Sequence, residues 1–236
     1  MTQDLFREDS YLTSCKATVV SSGPEGIVLD RTVFYPEGGG QPGDSGELVL
    51  ADGSRVAITT TRKGAEPDSI LHLVADGSPL PEPGTTVTAE IDWQRRHLHM
   101  RMHTAMHLLC SLVEGDVTGG QVGAEKSRLD FNLPDGPPDK LELQAALNRL
   151  VQEDHPVVPR WIEDAELDAQ PDLVRTVSVQ PPRGSGRVRL LDIAGVDLQP
   201  CGGTHVRSTG EIGALEVAKI ENKGKQNRRI ILRFAA

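Results

Sequence analysis

Up to about residue 92, apolar and polar positions alternate over short runs that are interrupted by turn residues. Period-two alternation places every second side chain on one face of a strand, so each run predicts a half-buried strand. The candidates are Lys16–Val20, Gly26–Leu29, Thr32–Phe34, Gly46–Leu50, Arg55–Thr61, Ser69–Leu73 and Thr86–Ile91. Segments such as SSGPEG, PEGGGQPGD and ADGSPLPEPG separate them. Many short strands at near-regular spacing predict a small barrel or sandwich.

The period changes after Asp92. Over 95–114, Leu98, Met102, Ala105, Leu109 and Leu112 recur at steps of three and four, which predicts an amphipathic helix facing its partner along one stripe. A second helix is expected from an Asp139 N-cap, with Leu143, Ala146, Leu147, Leu150 and Val151 on one face and Pro156 closing it. Strands return at Val157–Ile162, Arg187–Ile193, Gly213–Ile220 and Arg229–Phe234, and the basic turn ENKGKQN joins the last pair. QPPRGSG (180–186) reads as a loop. The expected class is α+β, with an N-terminal β domain over 1–94 and an α+β domain over 95–236.

Composition narrows the class. Of 236 residues 37% are apolar and 25% charged, ordinary for a globular protein. Aromatics make up 3%, too few for a recognition surface built on base stacking. No apolar run approaches 18 residues, so neither a transmembrane helix nor a membrane partner is expected. The start, MTQDLFREDS, has no apolar core of a signal peptide, and three scattered cysteines form no disulfide framework, which fits a reducing cytoplasm.

The net charge of −9 lies in the first 94 residues, which hold 15 acids and 6 bases. A global basic footprint is missing. Two local clusters stand out: Arg95, Arg96 and Arg101, and a tail cluster including Lys223, Lys225, Arg228 and Arg229. Such clusters are solvated faces more often than phosphate sites.

His99, His103 and His107 share one helical stripe, and imidazoles at i and i+4 can reach one metal ion. A bare pair is more often structural. Cys201-Gly-Gly-Thr-His205 changes that balance, because a Gly-Gly turn would let Cys201 and His205 face one point. Two His, one Cys and one more His make a complete N/S set, which favours zinc. Cys110 is a rival ligand, although its apolar neighbours favour packing. The loop FYPEGGGQPGDSG (34–46) is neither a P-loop nor a Rossmann fingerprint, since GK[ST] is missing and no helix opens after it.

FYPEGGGQPGDSG at 34–46, DWQRRHLHMRMHTAMHLL at 92–109, GGQVGAEKSRLDF at 119–131, DIAGVDLQPCGGTHVRSTGEIG at 192–213 and ENKGKQNRRI at 221–230 span the chain in order. Together they resemble the alanyl-tRNA editing proteins (the AlaX family, medium-length type) and the editing domain of alanyl-tRNA synthetase. The resemblance implies a translation-protein-like β-barrel followed by the α+β editing domain shared with alanyl- and threonyl-tRNA synthetases. It implies zinc at His103, His107, Cys201 and His205, with some members using three of these and a water. The family's HTATH reads His103-Thr-Ala-Met-His107 here, and the differing Met106 is not a ligand.

The implied activity is hydrolysis of tRNA for alanine charged in error with Ser or Gly, with no ATP requirement. Such editing is needed because a pocket for alanine cannot exclude glycine and rejects an added hydroxyl only ~100-fold. Thr104 matches the family threonine credited with reading the serine hydroxyl, and Gln41 in the glycine-rich loop is a second discriminator. The bland alternative for Thr104 is a bond back to the carbonyl at position 100. Lys223, Lys225, Arg228 and Arg229 would hold phosphates near the acceptor end. A zinc-stabilised RNA-binding module without hydrolysis is the alternative function.

Overall fold

The computed structural model describes residues 2–176 and 186–235. Of the expected 180–186 loop only Gly186 falls among the described residues. The chain divides into two compact units, Met1–His97 and Leu98–Ala236.

The first unit is a closed six-stranded barrel. Its strands are β1 (Ser14–Gly23), β2 (Gly26–Leu29), β3 (Gly46–Leu50), β4 (Arg55–Lys63), β5 (Ile70–Val74) and β6 (Thr86–Ile91). They run in the order β1-β2-β5-β4-β3-β6, all paired antiparallel, with β6 returning to β1. Closure removes the exposed edges that an open sheet must protect. Ala17, Val19, Ile27, Leu29, Leu48, Val56, Ile58, Val87 and Ala89 alternate inward and form the core.

The expected strand Thr32–Phe34 does not form. Only Arg31–Thr32 pairs, parallel to Gln3–Asp4, and Val33, Phe34 and Tyr35 then run buried outside any ladder. Side chains take the place of the missing strand partner: Phe34 N donates to Thr32 Oγ1 (3.0 Å) and Tyr35 N to Asp44 Oδ2 (2.7 Å). The glycine-rich loop that follows has two parts. Gly38 and Gln41 pair around Gly39-Gly40, whose φ values of +57° and +81° make a turn only glycine tolerates well. Gly43 answers a different need, because a Cβ there would stand 1.9 Å from the Thr61 carbonyl oxygen. Gln41 is fully buried at the base of the hairpin.

His72 on β5 is fully buried, 2.8 Å from Thr32 Oγ1 and 3.0 Å from the Ile27 carbonyl. Burial pushes its pKa down to about 4. An unfolded histidine takes up its proton near 6.5, so the unfolded chain binds more protons between these values. Stability is therefore complete above about pH 6.5, falls as the pH drops towards about 4, and stays level below. The loss should approach about 3 kcal/mol. Urea unfolding at neutral and mildly acid pH should show this slope, and His72→Gln, with nothing to titrate, should flatten it. An unchanged slope in the variant would assign acid lability to other groups.

The second unit holds most of helix α1 (Trp93–Leu112), then β7 (Asp116–Gln121), β8 (Lys126–Asn132), α2 (Lys140–Gln152), β9 (Val157–Glu163), α3 (Asp164–Asp168), β10 (Arg187–Ile193), β11 (Asp197–Pro200), β12 (Leu215–Asn222) and β13 (Asn227–Phe234). One antiparallel sheet has the order β12-β13-β8-β7, and a second the order β9-β10-β11. Asp139 caps α2 as expected, its carboxylate accepting from Leu141 N and Glu142 N. Facing β12, Asn148 of α2 accepts from Leu215 N and donates to Leu215 O, and Gln144 accepts from Val217 N. These side chains satisfy a sheet edge that would otherwise present open backbone groups.

Helix α1 departs from the one-sided stripe. Met100, Met106 and Leu108, off the stripe, are as buried as Met102, Ala105 and Leu109 on it. His99, His103, Thr104 and His107 are buried too. A helix buried on every side must satisfy its polar groups inside the protein. No helix among the described residues is long and apolar enough to cross a membrane.

Candidate metal centre

His103 and His107 lie one turn apart on α1, with ring centroids 5.6 Å from each other. The ring of His205 comes within 4.4 Å of His103 and 5.1 Å of His107, centroid to centroid. Cys201 Sγ stands 3.6 Å from His103 Nε2 and 3.1 Å from His205 Nε2. One donor atom from each of His103, His107, Cys201 and His205 falls within 4.8 Å of all the others. His99 and Cys110 are not in that group.

The CGGTH segment follows β11, and its curl is held from below. Arg189 on β10 is buried and donates through one guanidinium nitrogen to the carbonyls of Cys201 (2.8 Å) and Gly203 (3.1 Å). Cys201 N donates in return to the Arg189 carbonyl, at 3.1 Å. Neither Gly202 nor Gly203 takes a positive φ, and the Arg189 clamp holds the turn.

Two of the histidines have a partner on the nitrogen that faces away from the cluster. His107 Nδ1 meets Asp197 Oδ2 at 2.8 Å, and Gln199 Nε2 donates to the other carboxylate oxygen at 2.7 Å. His205 Nδ1 is 3.2 Å from Thr104 Oγ1. That hydroxyl is fully buried, lies 2.9 Å from the Met100 carbonyl, and accepts from Val206 N at 3.3 Å. The bond back to position 100 is therefore present. Asp197, Gln199 and Arg189 were not among the residues the sequence singled out. A signal for two of them exists, since 197, 199 and 201 alternate onto one face of an extended run that ends at the thiol.

The groups of the cluster act strongly on one another. Burial alone would raise the Cys201 thiol, yet His103 and His205 beside it hold it well below the ordinary thiol value. Burial would likewise lower His107, but Asp197 and Cys201 carry it up to about 10. Cys110 behaves oppositely: burial pushes its thiol up to about 12, as expected of a packed side chain. In a tetrahedral shell with Zn–S about 2.3 Å and Zn–N about 2.0–2.1 Å, sulfur and nitrogen stand about 3.6 Å apart. The Cys201–His103 edge has this length, the Cys201–His205 edge is shorter at 3.1 Å, and all four donors lie within 4.8 Å of one another.

The basic residues are committed within the protein to differing degrees. Arg96 is fully buried and not on a solvated face: it binds the Asp44 carboxylate and the carbonyls of Val33 and Ser10. Arg101 lies 4.1 Å over the Phe234 ring and donates to the Ile212 carbonyl. On the hairpin of β12 and β13, Arg229 forms a two-pronged pair with Asp130 at 2.7 and 2.8 Å. Arg228 donates to turn carbonyls, Lys223 pairs with Glu221, and Lys225 is exposed at the turn.

Two family models match within the chain. Residues 188–231 match the threonyl and alanyl tRNA synthetase second additional domain, and residues 8–95 match the class II (A) tRNA synthetases. An alanyl-tRNA editing protein AlaX-M of Methanosarcina acetivorans is 37% identical over 98% of both chains. The chain belongs to the alanyl-tRNA editing protein family. The AlaX-M protein of Saccharolobus solfataricus is 34% identical, again over 98% of each. The alanine–tRNA ligase of Pyrobaculum neutrophilum is 40% identical over 93% of this chain, which corresponds to 25% of that longer protein. The α+β class with an N-terminal barrel agrees with the class expected from the residues.

Proposed function

We propose that this chain removes serine, and also glycine, from wrongly charged tRNA for alanine, acting in the cytoplasm without ATP. The observation that carries this reading is the convergence of four metal donors within 4.8 Å in a chain that matches editing proteins end to end. In this reading residues 1–94 form the barrel domain and 95–236 the hydrolytic domain. Zinc is the proposed metal, held by His103, His107, Cys201 and His205, because one thiolate and three imidazoles favour it over harder ions.

The bond to be broken is the ester between the amino acid and the terminal ribose. Water adds to the carbonyl and the ribose oxygen leaves as an alcohol, giving free amino acid and uncharged tRNA. The ester is already activated, so modest assistance suffices. When bound, zinc supplies a Lewis acid beside the ester or fixes the terminal adenosine. The chain's own side chains orient the donors and exclude bulk water from a buried cluster. Lys223, Lys225, Arg228 and Arg229 provide positive charge for backbone phosphates, so tRNA binding should weaken as salt rises.

The deciding experiment compares Ser-, Gly- and Ala-charged tRNA for alanine as substrates. Ser-tRNA and Gly-tRNA should be hydrolysed while Ala-tRNA survives ~100-fold longer, a selectivity that multiplies the ~100-fold rejection of an added hydroxyl that an alanine pocket supplies by itself. Intact Ser- and Gly-tRNA together with retained tRNA binding would leave a metal-stabilised RNA-binding module. Equal loss of all three would remove the editing role.

A further inference from the structure

Thr104 stands between two metal donors, and its hydroxyl has one proton and two lone pairs. The Met100 carbonyl oxygen, 2.9 Å away, carries no proton, so the hydroxyl proton must point at it. Val206 N–H takes one lone pair. The remaining lone pair faces His205 Nδ1 at 3.2 Å, so that nitrogen carries the hydrogen and donates it. The unprotonated Nε2 is then the one turned to Cys201 Sγ. The same accounting applies to His107. A carboxylate oxygen of Asp197 only accepts, so Nδ1 carries the hydrogen and Nε2 is left as the donor atom. Gln199 fixes the other carboxylate oxygen and keeps Asp197 from rotating away.

We propose that Thr104 and Asp197 are positioning residues of the metal centre, each fixing the tautomer and ring orientation of one histidine ligand, and that the Thr104 hydroxyl does not read the substrate. The inference rests on the zinc reading above and adds a role for two side chains. It changes what Thr104 can do, since a hydroxyl whose proton and lone pairs are all engaged has nothing left for a serine hydroxyl. Selection of the misacyl group then falls to other atoms. Asp197 has the larger part, because a charged acceptor at 2.8 Å stabilises an N–H donor more than a neutral hydroxyl at 3.2 Å does.

Zinc affinity, measured by competition with a chromophoric chelator on the full chain, reads this directly. Asp197→Ala should weaken zinc binding by about 10–100-fold, the usual cost of removing the partner of a ligating histidine. Asp197→Asn retains an oxygen that can accept from Nδ1 and should recover part of that loss. Thr104→Val should weaken binding by a smaller factor, and Thr104→Ser should restore it. The visible spectrum of the cobalt-loaded protein should shift in Asp197→Ala and Thr104→Val but not in Thr104→Ser. Where Thr104→Val lowers hydrolysis, Ser- and Gly-tRNA should fall together. Unchanged zinc affinity and cobalt spectrum in both Asp197→Ala and Thr104→Val, each still folded by circular dichroism, would overturn the proposal. So would a loss confined to Ser-tRNA at full zinc affinity, which would return Thr104 to substrate reading. A parent chain that binds no zinc at all would fail the zinc reading itself, a separate outcome.

Discussion

Cys201→Ala should strip the protein of its metal. The parent chain, purified without added metal, should carry one zinc per molecule by elemental analysis, and the variant should lose most of it on dialysis against a weak chelator. Cys201 is the only group of the four that can bring a full negative charge to the ion, and neighbouring imidazoles already hold its thiol well below the usual value. Its removal leaves three neutral rings and an opening where sulfur stood. The cost should exceed the about 10–100-fold that follows loss of a mere histidine partner. Deacylation should fall with the metal content. Because a preformed site couples binding to folding, thermal stability in the presence of zinc should fall as well. Full occupancy in Cys201→Ala would take Cys201 out of the site. If Cys110→Ala then lost the metal instead, the nearby thiol would be the ligand, against the raised pKa that its burial imposes.

The four donors were legible because both spacings are local. His103 and His107 share a helix face by the helical period, and Cys201 and His205 sit in one short turn. The barrel was legible for a similar reason: β4 alternates exposed Arg55, Ala57 and Thr59 with buried Val56 and Ile58 along its first half. What escaped depends on partners far along the chain. In β7 only Val117 is apolar, and in β8 the inward series begins with Ser127, so neither run shows enough contrast to announce a strand. Asp130 and Arg229 face each other only once β8 and β13 are in register, so the cross-strand ion pair of this tail arginine has no local signature. Within Arg95-Arg96 nothing local says which arginine goes inside. Thr104 could be placed on the helix, but the partners of its hydroxyl from 205 and 206 could not.

Arg96 leads to the largest expected stability effect. Its side chain is fully buried, and Asp44 beside it is 1% exposed. Nε lies 3.0 and 2.9 Å from the two carboxylate oxygens, and one terminal nitrogen reaches the Val33 carbonyl at 2.7 Å. Asp44 also accepts from Tyr35 N at 2.7 Å. The pair therefore ties the start and end of the glycine-rich loop to the first turn of α1, all within the first unit. Asp44→Ala would leave a guanidinium in a dry site with only neutral carbonyls for company. Breaking a buried pair in this way costs about 3–5 kcal/mol. Asp44→Asn keeps an acceptor and should cost less. The double variant Asp44→Leu with Arg96→Met should be less destabilised than either charge-stranding single change, because the penalty comes from the unpaired charge more than from the missing attraction. Urea unfolding gives these differences directly, and hydrogen exchange at the Tyr35 amide should rise in Asp44→Ala as the loop root opens. A cost below about 1 kcal/mol, the range of a solvent-exposed pair, would mean that water reaches Arg96 and that the loop is held by the Gly43 approach to Thr61 instead.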